Sequence, residues 1–309
     1  MGATQGQVAT FDIPILLMVF NRLEHSKKVF ESIRRIAPSR LYIASDGPRD
    51  HKPGEKEKVQ ELREFLAKSV DWECKVETLY REKNLGCKKA VSEAITWFFH
   101  QEEMGIILED DCLPSHSFFP YCKELLLKYK DDTRIWMISG YNVIDGAYAT
   151  KHSYLFTNFG FCWGWATWRR AWKNFDVNMT LWPKAKTEDI IHTYPFFSGR
   201  LKEWEDTYNN LIDTWDYQWY FTVASNSGLS IVPNRNLVKN IGFGKEATHT
   251  FTDSEGRGKI EANEISGAIS HPVFVFYDKK YEDIFLKKVV KKPSLFGRIK
   301  NKIRNTLNK

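Results

Sequence analysis

The sequence predicts an α/β fold, a mostly parallel twisted sheet flanked by helices, for three reasons. Short apolar runs bounded by turn residues alternate with stretches whose apolar positions recur at helical spacing. Strands and helices alternating at that pitch imply right-handed crossovers between parallel strands. A length of 309 residues suits one large α/β domain or two modest ones. In chain order, residues 13–20 (IPILLMVF) read as a buried strand, and Val29, Phe30, Ile33 and Ala37 share one helical face. Leu41 to Ala44 is a second strand ending in the turn Ser45-Asp46-Gly47-Pro48. The next helix turns Val59, Leu62, Phe65 and Leu66 inward, and Cys74 to Tyr80 alternates as a third strand. Gly86 precedes a helix with Ala90, Val91, Ala94, Ile95 and Phe98 on one side. Met104 to Leu108 is a short buried strand running into Glu109-Asp110-Asp111. A helix burying Phe118, Phe119, Cys122, Leu125 and Leu126 follows, then a fifth strand at Ile135 to Ile138.

Composition narrows the class. With 42% hydrophobic and 27% charged residues the chain is expected to be soluble and globular, not disordered or collagen-like. Its longest apolar run holds eight residues and a proline, against roughly 20 for a membrane span. The first dozen residues carry no Lys, Arg or apolar core, so no secretory signal is expected and the chain is assigned to the cytoplasm. Five widely spaced cysteines without a C-x-x-C pair read as reduced core thiols, not a disulfide framework or a zinc site.

Of the net charge of +6, residues 279–309 supply +9, from eleven Lys/Arg against Glu282 and Asp283. After Pro293, Leu295, Phe296, Ile299, Ile303 and Leu307 recur at helical spacing with Arg298, Lys300, Lys302 and Arg304 between them. Residues 294–309 therefore read as a basic amphipathic helix whose expected partner is an anionic membrane surface, placing the protein peripherally on the inner face, the plain alternative being a helix packed on the body or a solvated tail. No nucleic-acid partner is expected, because the basic residues sit at one end without a recognition motif. Eight of the eleven tryptophans fall between positions 163 and 219. Most are core by default, but the cluster marks where a flat polar ligand would lie.

Ligands of such sheets sit beyond the carboxyl ends of the strands. That rule selects Asn21-Arg22, Asp46-Gly47, Arg81 to Gly86 and Glu109-Asp110-Asp111. Neither a dinucleotide fingerprint nor a P-loop is present, so phosphate must be held another way. Consecutive carboxylates at a buried strand end call for a cation, and hard oxygen ligands suit Mn2+ or Mg2+ completed by substrate phosphates. The plain alternative is a solvated acidic loop.

Eight segments in order carry a resemblance: FNR (20–22), SDG (45–47), REKNLG (81–86), EDDCLPSHSFFPYC (109–122), WMISGYN (136–142), GFCWGWATWRRAW (160–172), TWDYQW (214–219) and NIGFGKEATHT (240–250). On these the chain resembles the GT-A glycosyltransferases, in particular the N-glycan N-acetylglucosaminyltransferase family and its bacterial relatives. The resemblance implies a Rossmann-like catalytic domain over residues 11–252, with a nucleotide-binding half (11–145) and an aromatic-rich sugar and acceptor half (146–252). Residues 253–309 are an extension without a counterpart. It further implies that Arg22 and Arg81 contact the nucleotide, that Asp46 accepts from a uracil imide, and that Asp110 holds ribose or a metal-bound water. Asp111 would ligate the metal, joined by His249 from a loop containing Gly242, Gly244 and Lys245, and Glu109 would reach the transferred sugar. Phe161, Trp163, Gly164 and Trp215 would wall the sugar pocket, and Asp216 falls where the family carries its catalytic base. The metal motif departs from the usual spaced pair of aspartates.

The expected activity is metal-dependent, inverting hexosyl transfer from a nucleotide diphosphate sugar to a saccharide or lipid-linked glycan acceptor. The donor is expected to be UDP-linked and similar to UDP-N-acetylglucosamine. A nucleotidyltransferase making the activated sugar is one rival, disfavoured because no Gly-rich phosphate loop follows the first strand. A non-catalytic sugar-binding or membrane-associated scaffold is the other.

Overall fold

The computed structural model describes residues 11–243 and 256–289. His249 and the amphipathic stretch at 294–309 lie outside the described residues. The first half follows the expected order: β1 (Ile15–Val19), α1 (Leu23–Ile36), β2 (Arg40–Ser45), α2 (Glu55–Ser69), β3 (Lys75–Tyr80), α3 (Gly86–Gln101) and β4 (Met104–Glu109). β1 is buried along its whole length because it pairs in parallel with β2 on one side and β4 on the other, and helices cover both faces. Its alternate residues divide between two cores: Ile15, Leu17 and Val19 meet Val29, Phe30 and Ile33, while Leu16 and Met18 meet Ile95 and Phe98. Ala37, expected on the face of α1, is instead its left-handed cap (φ 47°), donating to the carbonyls of Ile33 and Arg34.

Beyond β4 the chain adds β5 (Cys112–Pro114), α4 (Phe118–Lys128), β6 (Ile135–Ser139), β7 (Tyr154–Thr157) and β8 (Trp165–Trp168). Short helices follow: α5 (Arg169–Trp172), α6 (Trp182–Thr187), α7 (Ile190–Thr193), α8 (Pro195–Ser198) and α9 (Leu201–Tyr208). The described chain is completed by α10 (Asp216–Ser225), β9 (Leu229–Pro233), β10 (Val238–Asn240) and α11 (Lys279–Val289). The main sheet has the order β3-β2-β1-β4-β8-β6-β9-β7. Six strands run one way, while β8 and β7 are reversed, so the sheet is mixed but mostly parallel. A separate ribbon pairs β5 with β10 in antiparallel sense.

Seven of the eight clustered tryptophans are buried, and Trp163 alone of them is partly exposed. Residues 256–289, expected as an extension, contribute Tyr281, Phe285 and Val289 to the core that also holds Trp182 and Trp204. All five cysteines are free, with Cys112, Cys122 and Cys162 buried. No helix among the described residues is long and apolar enough to cross a membrane.

Candidate functional site

A cavity of about 320 Å³ opens where the carboxyl ends of β1, β2 and β4 meet the N-terminus of α3. Its floor is apolar, with Met18, Ala44, Ala90 and Ala94. Its walls bring five carboxylates (Asp46, Glu109, Asp110, Asp111, Asp213) against three guanidinium groups (Arg22, Arg49, Arg81). Four segments chosen from the sequence thus converge on one space.

Arg22, just past β1, grips the acidic end of β4. Its Nη2 donates to Asp110 Oδ1 in a close ion pair and to Asp111 Oδ2 at 3.0 Å, and its Nε reaches Asp110 Oδ2 at 3.3 Å. Burial works against the Arg22 charge, but Asp110 and Asp111 outweigh it and the guanidinium pKa is raised. Burial pushes the Asp110 carboxyl up against the pull of Arg22. Glu109 is driven well above the ordinary carboxylate range by burial and by the charges of Asp111, Asp110 and Asp216. The cation expected at this strand end is therefore supplied in part by the chain itself.

The N-terminus of α3 forms the facing wall. No local side chain caps it, and its free N–H groups are taken by two carboxylates from elsewhere. Asp46 accepts from Leu85 and Gly86, and Asp213 accepts from Cys87 at 2.8 Å and Lys88 at 3.0 Å. Asp46 also accepts from Gly47 N–H and Asn84 Nδ2, both at 2.9 Å, so both its oxygens are occupied. A uracil contact at Asp46 requires one of these donors to give way. Burial raises the Asp46 pKa, and the N–H groups of Leu85, Gly47 and Gly86 oppose that rise. Arg81 lines the cavity while pairing with Glu93 at 2.9 Å.

On the sugar side, Trp163 lines the cavity. Phe161 instead packs edge-on against Tyr141 under the Arg257 guanidinium. Gly164 has φ +64°, and a Cβ there would meet Val238 at 2.7 Å, so glycine is required for backbone geometry. Trp215 is 2% exposed and stacks on Trp165 with centroids 5.7 Å apart, which places it in the core and not on a sugar-facing wall. Asp216 begins α10, accepting from Thr214 Oγ1 and from the Tyr217 N–H at 3.0 Å. Asp216 is not among the residues that line the cavity, but its charge acts on Glu109 and on the Cys87 thiol, both in the cavity wall.

Several contributors escaped the sequence reading, among them Arg49 of the cavity wall, which pairs with Glu55. Arg63 donates to the carbonyls of Ser45, Asp46 and Arg81 and to Ser45 Oγ, tying the ends of β2 and β3 together. Its place one residue after Leu62 and four after Val59, on the inward face of α2, was the available signal. Asp213 is a remote cap with no local signature. The β5–β10 ribbon carries Asn240 into the cavity wall and sets Gly242 so near Asp111 that a Cβ would lie 2.1 Å from Oδ2. His25 Nε2 lies 3.0 Å from the Ile241 carbonyl on the same side.

Among the described residues no three His, Cys, Asp or Glu side chains gather into a metal cage. The oxygen donors at the end of β4 are of the kind a hard divalent ion takes from one or two carboxylates, and Asp111, whose Oδ2 accepts from Arg22 at 3.0 Å, would be the first of them.

No family model and no curated protein matches the sequence. Among solved structures the chain is similar to the inositol-1-phosphate CTP transferase from T. maritima, at 9% identity and TM-score 0.41 over 81% of this chain and 95% of that one. It is also similar to mouse xyloside xylosyltransferase 1, at 11% identity and TM-score 0.34 over 69% and 82%. A cytidylyltransferase from Leptospira borgpetersenii matches at 12% identity and TM-score 0.35 over 62% and 73%. Likenesses this distant assign no chemistry to the cavity.

Proposed function

We propose that the protein is an inverting, metal-dependent glycosyltransferase that moves a hexosyl group from a UDP-linked sugar, of the UDP-N-acetylglucosamine type, to a saccharide or lipid-linked glycan. The observation that carries this reading is the acidic end of β4 facing one cavity, with Arg22 bound to it and the charge of Asp216 acting on Glu109. Asp216 takes the proton of an acceptor hydroxyl as its oxygen bonds to the anomeric carbon, and the bond to the nucleoside diphosphate breaks with its electron pair on the leaving group. Arg22 and Arg81 orient the diphosphate, and Arg22 exchanges part of its hold on Asp110 and Asp111 for phosphate oxygen. Glu109 reaches a hydroxyl of the transferred sugar, and Trp163 offers the sugar an apolar face. Mn2+ or Mg2+ held by Asp111 and the diphosphate would supply Lewis acidity to the leaving group.

The test is a calorimetric titration of UDP, GDP, dTDP and CMP into the protein with and without Mn2+, repeated on Asp111→Ala. The expected result is metal-dependent binding of UDP alone, lost in the variant. Failure of folded protein to bind any nucleotide overturns the reading and withdraws the roles of Arg22, Asp46 and Asp111.

A further inference from the structure

We propose that the segment Val273–Tyr277, with the basic sequence that follows it, docks the protein on an anionic lipid surface. The segment runs along β7, the last strand of the sheet, and is fixed at both ends. Ser270 and Ser153 exchange hydrogen bonds before it, and at its end Tyr277 bridges Phe156 while the Asp278 N–H donates to the Phe156 carbonyl at 2.8 Å. Between these anchors Val275 turns into the core. Val273 is 83% exposed, Phe274 79% and Phe276 69%, and Tyr277 stacks on Phe276 with centroids 5.1 Å apart. Single exposed apolar side chains are ordinary, but four in five residues on a pinned backbone form a ridge of the kind that marks an interaction surface.

Charge selects what the ridge meets. The chain leaves it at Lys279 and Lys280, and residues 279–309 carry +9 while the rest of the sequence is net negative. A second copy docking ridge to ridge would bring two such segments together. An anionic bilayer satisfies both features: the aromatic side chains enter the boundary between headgroups and acyl chains, and the lysines stay among the phosphates. β7 lies four strand spacings from β4, about 19 Å, and the ridge lies beyond it, so docking there leaves the cavity open. The proposal does not depend on sugar transfer.

The full-length protein is sedimented with vesicles of phosphatidylcholine alone and of phosphatidylcholine mixed with phosphatidylglycerol. Binding is expected only to the mixed vesicles, weakening as salt is raised. The pair Phe274→Ser and Phe276→Ser is expected to weaken it at least ~10-fold, and the pair Lys291→Glu and Lys292→Glu to weaken it as well. Because both phenylalanines are exposed, an unchanged thermal melt checks that the fold is intact. No binding by the wild type, or equal binding by the serine variant, overturns the proposal. A concentration-dependent dimer that the serine variant abolishes, without vesicle binding, also overturns it and assigns the ridge to self-association.

Discussion

The two ends of the sheet are held together by different physics. At the β3-β2-β1-β4 end, charged groups join strand ends to the helix that follows: Arg63 on three carbonyls, Asp46 and Asp213 on the N-terminus of α3, Arg22 on Asp110 and Asp111. At the other end rings fill the volume. Trp165 touches Trp172, Trp215 and Trp219, and Trp182 touches Trp204 and Phe197. The filling is tight enough that the indole N–H groups of Trp165, Trp182, Trp204 and Trp219 are buried without a hydrogen-bond partner, a cost of about 1–3 kcal/mol each that the packing offsets. Polar clamps leave charge facing a cavity, whereas packed rings leave no room for a ligand. A concentration of tryptophan is here a property of the fold, except at Trp163.

If that division is right, variants at the two ends fail differently. Asp216→Asn should lower turnover about 10²- to 10⁴-fold, as for loss of a general base, with UDP affinity within about twofold of wild type. Product assay and calorimetry on the same preparation check this, and an equal loss of both would make Asp216 structural. Trp204→Ala should cost about 3–5 kcal/mol in urea unfolding, while any protein that remains folded keeps its nucleotide affinity. Asp213→Ala removes the acceptor for two N–H groups of α3 and should cost about 0.5–2 kcal/mol. Unlike Trp204→Ala it should also weaken UDP binding, because Asp213 lines the cavity. Glu109→Gln has the smallest effect on stability, seen in its pH dependence. Above the ordinary pKa of 4.5 the folded state keeps a proton on Glu109 that the unfolded chain releases, so stability falls as pH rises toward the raised value. The slope is at most about 1.4 kcal/mol per pH unit, and the glutamine variant should flatten it in chelator-treated protein.

The first half of the fold was legible because its elements are long and strongly periodic. β1 and α1 to α3 fall within a few residues of their expected places, and the strand-end rule led directly to Arg22, Asp46 and Glu109 to Asp111. The second half was less so. YLFT and WATW are four-residue strands inside aromatic sequence where helix and strand periods look alike, and β8 is inserted between strands that precede it in the chain. The site was illegible where it depends on partners far apart in sequence. The capping of Cys87 by Asp213 spans 126 residues and no local pattern announces it. Asp46 shows the converse: its place at a strand end is read from the sequence, but its engagement by the turn at Asn84 to Gly86 is visible only in space.

The position of β8 also bears on how the chain assembles. β4 and β6 are synthesised first, but neither pairs with the other, and each presents an open edge until residues 165–168 arrive to join them. A nascent chain halted at residue 145 would therefore display an open edge on β4 and an unpaired β6 over an apolar core, the kind of surface that recruits other chains. The sheet therefore closes only once sequence on both sides of residue 145 is present.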